Sequence, residues 1–138
     1  MNRIIIALLV GLLVAGGIVY FVYNKPHRDV ASEEAEHRVT ADQLFDEYEA
    51  DEAAANAKYL DKTIEVTGII SEITVNDAGQ TNAILTAENA MIGGVSTTFQ
   101  AEVTIEPLEE GQEVCVKGRC TGKLMDVVVT DCTIKELK

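Results

Sequence analysis

The chain has 138 residues and a formal net charge of −12 at pH 7, a length that leaves room for one folded domain. Residues 40–138 contain seven Lys or Arg against nineteen Asp or Glu, so the negative charge lies on this part of the chain. Such a surface repels phosphate backbones and anionic lipid headgroups, which argues against general nucleic-acid binding.

The first predicted element is a transmembrane helix. An uncharged apolar run begins at Ile4 and ends at Tyr23, and a run of about 20 residues spans a bilayer core of ~30 Å. A cleaved signal peptide has a shorter apolar region followed by small residues, and a core helix this apolar needs a larger protein around it. No cleavage site and no Cys for a lipid follow Tyr23. We predict that residues 1–24 form an uncleaved anchor.

The orientation of this anchor does not follow from charge alone. Arg3 and the amino terminus lie on one side, and Lys25, Arg28 and Arg38 lie on the other, so the positive-inside rule does not choose between the two orientations. A tail of three residues before the apolar run is common in anchors whose amino terminus stays inside. We therefore predict a single-pass membrane protein with its domain outside the cytoplasm.

A linker and a helix follow the anchor. Residues 25–39 are polar and acidic, which predicts a flexible linker with a reach of ~20–25 Å. Thr40 and Gln43 have the spacing of a capping box. Apolar residues then recur at helical spacing, with a break at Asp51. We predict one amphipathic helix over residues 41–59.

The remaining chain alternates with the period of strands. Gly68 interrupts the first strand and indicates a bulge or a sharp coil, and Gly93 and Gly94 indicate a loop. Five short strands joined by turns are typical of a closed barrel or a sandwich, so we predict a mainly β domain over residues 40–138. The predicted strands are residues 62–73, 80–87, 97–105, 113–119 and 126–134.

Three segments carry a resemblance to a known family. Residues 48–73 (YEADEAAANAKYLDKTIEVTGIISEI), 110–122 (EGQEVCVKGRCTG) and 126–134 (DVVVTDCTI) resemble the tRNA-anti-like OB-fold family. The resemblance covers most of the chain after residue 40 and implies a five-stranded OB-type barrel. It implies an activity less strongly, since many members are membrane-tethered or exported bacterial proteins without an assigned role. The word tRNA in the family's name records a likeness of shape to an anticodon-binding barrel.

Single-stranded nucleic acid binds OB barrels on the second and third strands, by aromatic stacking and cationic contacts. On those strands the sequence offers one aromatic, Phe99, and no Lys or Arg. Phe99 alternates in phase with apolar residues and is therefore also expected in the core. Lys117, Arg119 and Lys123 form a basic cluster on the fourth strand and in the loop that follows it. These four residues are the candidate ligand-binding residues, although the outward face of a half-buried strand is usually charged without a ligand.

The three cysteines fall in the last two predicted strands, at Cys115, Cys120 and Cys132. Their spacing matches no zinc pattern, and both histidines, His27 and His37, lie in the predicted linker. Strand parity places Cys120 and Cys132 among core residues, the latter on the face of Val128 and Ile134. A tight hairpin through Gly122 places Cys120 opposite Asp126 and Cys132 some 20 Å further along. We predict no disulfide.

No catalytic or metal-binding constellation stands out. The domain has no His, no nucleophile with an evident base and no calcium-loop spacing, so we expect neither an enzyme nor a metal or other cofactor. The sequence favours a membrane-anchored, non-enzymatic OB-fold binding module with an envelope protein as partner. The alternative is a domain facing the cytoplasm that binds single-stranded nucleic acid through its basic cluster.

Overall fold

In a computed structural model, residues 2–24, 29–88, 93–100 and 107–138 are described. The first element is the helix α1, Arg3–Tyr23, whose described side chains are all exposed. It is long and apolar enough to cross a membrane. The backbone N–H of Asn24 donates to the Tyr20 carbonyl and ends the helix. The predicted apolar segment is therefore a single uninterrupted helix.

Two helices replace the predicted single helix: α2, Ala41–Ala50, and α3, Glu52–Tyr59. The Thr40 hydroxyl accepts from the Gln43 N–H and caps α2, as the capping box predicts. The prediction of one continuous helix is wrong at Asp51, whose backbone is extended. The Asp51 carboxylate accepts from the Ala54 N–H at 3.1 Å, because an aspartate satisfies the free N–H groups at a helix start.

The described strands form one closed barrel. Its five strands, in sequence order, are β2 (Thr63–Val75), β3 (Thr81–Thr86), β4 (Gly94–Phe99), β5 (Glu113–Lys123) and β6 (Val127–Leu137). β2 pairs with β3 along its second half and with β5 along its first half. β4 and β6 are parallel, and β6 then pairs with β5 to complete the ring. This closed barrel confirms the predicted OB-type fold.

A further strand precedes the barrel. β1, His37–Thr40, pairs in parallel with β2, although residues 25–39 are predicted as a linker. Val39 of β1 is buried, so the segment gains both backbone hydrogen bonds and apolar contact when it lies on the barrel. Residues 25–28 lie outside the described part of the chain, and the domain boundary at residue 40 stays a prediction.

The helices close one end of the barrel. Leu44, Phe45 and Tyr48 of α2 and Tyr59 of α3 are buried in the same core as the inward side chains of the strands. Gly68 allows α2 to approach, because a Cβ at this position would lie 2.9 Å from the Ala41 Cβ. The irregularity predicted at Gly68 occurs slightly later, as a register shift between Ile70 and Glu72.

Strand ends differ from the predicted ones. β4 begins at Gly94 rather than at residue 97, because Gly94 pairs with Thr86 and its N–H donates to the Asp126 carboxylate at 2.9 Å. β5 and β6 extend to Lys123 and Leu137, beyond the predicted ends at residues 119 and 134. The predicted continuation of the third strand through Ala101, Val103 and Ile105 lies outside the described residues.

A bulge in β6 corrects the predicted side-chain faces. Asp131 has a φ of +54°, and the register between β5 and β6 shifts beside it. Val129 and Cys132 consequently face inward, whereas strict alternation placed Val128 on the face of Cys132. Cys120 lies opposite Val129 and not opposite Asp126, so the predicted hairpin register was wrong.

Candidate binding surface

Lys117 lies in the middle of β5, between Glu65 of β2 and Thr133 of β6. Its side chain points outward but is only 4% exposed. Its amino group donates to the carbonyl oxygens of Ala31 and Glu33, at 2.7 and 2.8 Å. The segment that precedes β1 therefore covers this cation.

Arg119 is the next outward residue of β5 and is partly exposed. A guanidinium nitrogen lies 3.9 Å from the Asp131 carboxylate, which also accepts from the Gln100 amide at 2.9 Å. The Arg119 Nε is buried without a hydrogen-bond partner within the described residues. Among the predicted cations, Arg119 is the most exposed, with 35% of its side chain accessible compared with 13% for Lys123.

Lys123 ends β5 and turns toward α2. Its amino group forms an ion pair with Glu49 and lies 5.0 Å from the centre of the Phe45 ring. A cation over an aromatic face is attracted by the ring electrons. The structure thus gives each of the three predicted cations an intramolecular partner, and ligand binding by them stays a prediction.

Phe99 is fully buried at the end of β4, opposite Cys132. This position agrees with the core role that its strand alternation predicts. A base stacks on an aromatic ring only where the face of the ring is exposed. The described surface of β3 and β4 therefore presents no stacking platform at this position.

The outer face of β3 and β4 is polar and uncharged. Ser96 donates to the Asn82 side-chain carbonyl at 3.0 Å, and the apolar Ile84 lies opposite Ser96 on β3. A groove of about 560 Å³ adjoins this face. It is lined by Ser71, Glu72, Ile84, Gly93, Met125 and Asp126, with two carboxylates and no Lys or Arg among these described residues.

The hairpin tip between β5 and β6 projects apolar side chains into solvent. Leu124 is 88% exposed and Met125 is 79% exposed, and Met125 borders the groove. Sequence reasoning missed both residues as candidates. The available signal was an apolar Leu-Met pair in a turn, where polar residues and glycine are usual.

Carboxylate and hydroxyl groups near α2 and α3 are used for packing. Burial of Glu47 favours a raised pKa, but hydrogen bonds from Lys58, Gln43 and Tyr59 outweigh it and lower the pKa of this carboxyl. Tyr59 donates to Glu47 at 2.9 Å and packs edge-on against His37. This cluster joins α2, α3 and β1 mechanically.

The cysteines lie in the barrel wall, and all three are unpaired. Burial raises the pKa of the Cys132 thiol, so it stays protonated at neutral pH. Cys120 contacts the Tyr48 hydroxyl at 3.3 Å, and burial together with this contact raises the pKa of Tyr48. Within the described ranges, no three His, Cys, Asp or Glu side chains are grouped to hold a metal ion.

A five-stranded barrel closed by a parallel β4–β6 pair is the arrangement of an OB-fold domain. The chain belongs to the tRNA_anti-like family, whose model matches residues 1–134. No curated protein matches it.

Nine chains of known structure match this protein. One is the crystal structure of a protein from Klebsiella pneumoniae described as a "putative nucleic acid-binding lipoprotein". The two chains are 19% identical and superpose with a TM-score of 0.58, over 81% of this chain and 100% of the other. At this identity the likeness establishes the fold.

Proposed function

We propose that this protein is a membrane-anchored, non-enzymatic OB-fold module that binds another protein outside the cytoplasm. The observation that carries the proposal is the contrast between its cations and its hairpin tip. Lys117 is covered and Lys123 is ion-paired, whereas Leu124 and Met125 are exposed beside a groove with two carboxylates.

The helix α1 supports membrane anchoring by its length and apolarity. The solved relative is described as a lipoprotein, yet in this chain the first cysteine is Cys115, in the barrel. In our proposal, the helix from Ile4 to Tyr23 anchors the domain in the membrane, as a lipid anchors a lipoprotein. The amino terminus then lies inside, and residues 40–138 form a domain in the envelope.

The chemistry of the groove favours a protein partner. Apolar side chains in solvent bury area when a partner covers them. Glu72 and Asp126 supply negative charge without a cation among the described lining residues, and like charges repel a phosphate backbone. The groove therefore suits a segment that presents an apolar side chain next to Lys or Arg.

Site-specific photo-crosslinking in intact membranes tests this proposal. A photoreactive amino acid at Leu124 is expected to give a discrete crosslinked product, and the product is expected to weaken in the Glu72→Lys background. The matched control is Val75, which is 66% exposed and ends β2, away from the hairpin tip. Equal crosslinking from both positions, or none from Leu124, would count against a protein-binding tip.

Single-stranded nucleic acid is the second candidate ligand. It is favoured by the description of the solved relative and by the partial exposure of the Arg119 side chain. A salt-sensitive shift with oligonucleotides that falls in Arg119→Ala supports it. The control is Arg38→Ala, since Arg38 is exposed and pairs with Glu65. Absence of binding at low salt removes this candidate.

A further inference from the structure

The segment between α1 and α2 is fixed to the barrel by Lys117. We call residues 29–40 the strap. Lys117 is 4% exposed, and its amino group donates to two strap carbonyls, those of Ala31 and Glu33. A buried ammonium needs hydrogen-bond acceptors in place of water, and the strap backbone supplies them.

Further contacts along the strap also hold it against the barrel. Val30 is 2% exposed. The Thr63 hydroxyl donates to the Glu33 carboxylate at 2.6 Å, and the Glu36 N–H donates to the Thr63 carbonyl at 2.8 Å. β1 then continues the strap as a paired strand along β2. These contacts make the strap part of the barrel surface rather than a free linker.

Five residues remain between the last residue of α1, Tyr23, and the first residue of the strap, Asp29. A chain of five residues spans at most ~18 Å even when fully extended. The headgroup layer itself takes up part of this distance, because it adds ~5–8 Å on each side of the hydrocarbon core. The sequence estimate of a longer linker counted residues that the structure places on the barrel.

We propose that the strap surface rests against the lipid headgroups, so that the barrel is held at the bilayer and meets only partners at the membrane surface. This inference rests on the proposed membrane anchor. The strap surface consists of the strap and the barrel residues beside it. It has charges of both signs, from Glu34 and Arg38 in the strap and from Glu65 and Lys135 next to it, which matches a zwitterionic headgroup layer. Lys117 is the positioning residue that fixes this orientation.

The hairpin tip lies far from the strap contact. Leu124 follows Lys117 by seven positions in β5 and its tip, which corresponds to ~23 Å along an extended strand. The strap surface and the tip are thus separate parts of the barrel. The tip stays accessible to a membrane protein that stands beside this one.

Tryptophan fluorescence tests the orientation of the barrel on the bilayer without a background signal, because the chain contains no Trp. The full chain is reconstituted into phosphatidylcholine vesicles that carry a spin label on the headgroup. The fluorescence of Glu34→Trp, on the strap, is expected to be quenched by the spin label. Leu124→Trp and Val75→Trp, both at exposed positions, are expected to keep theirs.

Two further variants distinguish the contribution of the strap from that of the membrane anchor. In Glu34→Trp, a flexible insertion of ~20 Gly and Ser residues after residue 28 leaves the strap contacts intact but lengthens the tether, and the fluorescence is expected to return. Lys117→Met is expected to return it by releasing the strap. If Lys117→Met does not fold, the insertion decides.

The outcomes distinguish the two proposals. Failure of the full chain to float with the vesicles overturns the membrane anchor and the inference with it. Flotation with equal quenching at positions 34 and 124 overturns the inference alone. Flotation with quenching at position 34 that persists after the insertion also overturns it, because the tether then does not set the distance.

Discussion

The middle of β5 and the hairpin tip that follows it show how one strand pattern leads to two different surfaces. At Lys117 an outward cation is buried under the strap, and nearby Tyr59 joins α3 to α2 and β1. At Leu124 and Met125 apolar side chains point into solvent. The covered region uses charged groups for internal packing, and the open region leaves apolar groups unburied. Mutations in the covered region should therefore affect stability, and mutations in the open region should affect binding.

The largest expected effect is that of Tyr59→Ala in the covered region. Tyr59 is fully buried, stacks with Tyr48 and donates to Glu47. Removal of a buried aromatic ring costs ~3–5 kcal/mol. Urea denaturation followed by circular dichroism should show this loss, with Ala53→Ser on the exposed side of α3 as the control. An unchanged midpoint would show that Tyr59 does not hold the helices on the barrel.

The next effect is local, at the strap. Lys117→Met removes two hydrogen bonds from a charged donor, which we expect to weaken the strap by about 1–3 kcal/mol. Hydrogen exchange should accelerate at residues 29–36 and stay slow in β3 and β4. Lys138→Met, at an exposed position whose ion-pair partner is Glu113, is the control and should leave exchange unchanged. Uniform acceleration across the barrel would contradict a separately releasable strap.

A smaller effect depends on pH, through Glu47. The folded pKa of this carboxyl is below its ordinary value of 4.5, so the ionised form stabilises the fold. That contribution is present above the unfolded pKa and is lost as pH falls through the folded pKa. Glu47→Gln should lose ~1 kcal/mol at pH 7, and the difference from the native chain should shrink below pH 4. Thermal melts at both pH values measure it; a pH-independent difference would refute the role of the charge.

The smallest effect on stability is expected at the open region. The double change Leu124→Ser and Met125→Ser should alter the free energy of unfolding by no more than about 0.5 kcal/mol, because exposed side chains contribute little to it. Met125→Ser alone, which leaves position 124 for the photoreactive amino acid, should weaken the crosslink formed from there. A large loss of stability instead would mean that these side chains pack in the folded chain.

Residues whose environment is set by their own strand were predictable from sequence. Ala83, Leu85 and Phe99 alternate in phase and are fully buried, and the Thr40 cap follows from local spacing. Which side chains of β6 face inward was not predictable beyond Asp131, because a left-handed backbone at a residue other than glycine leaves little signal in the sequence.

The candidate surface was less predictable than the fold, since it depends on contacts between distant segments. Lys117 alternates outward as predicted, but its burial comes from Ala31 and Glu33, 86 and 84 positions away. Val30 stands alone in a polar stretch, so no periodicity indicates its burial. Leu124 and Met125 were visible in the sequence, but their exposure beside the groove required the hairpin register.

The central claim is that the barrel is held on the membrane outside the cytoplasm. It is tested most directly by labelling Leu124→Cys, in a Cys115→Ser background, with a membrane-impermeant maleimide in intact cells. We predict labelling without permeabilisation, on a protein that sediments with membranes and resists extraction by alkaline carbonate. Labelling that appears only after the inner membrane is opened would contradict the claim, as would recovery of the full-length chain in the soluble fraction.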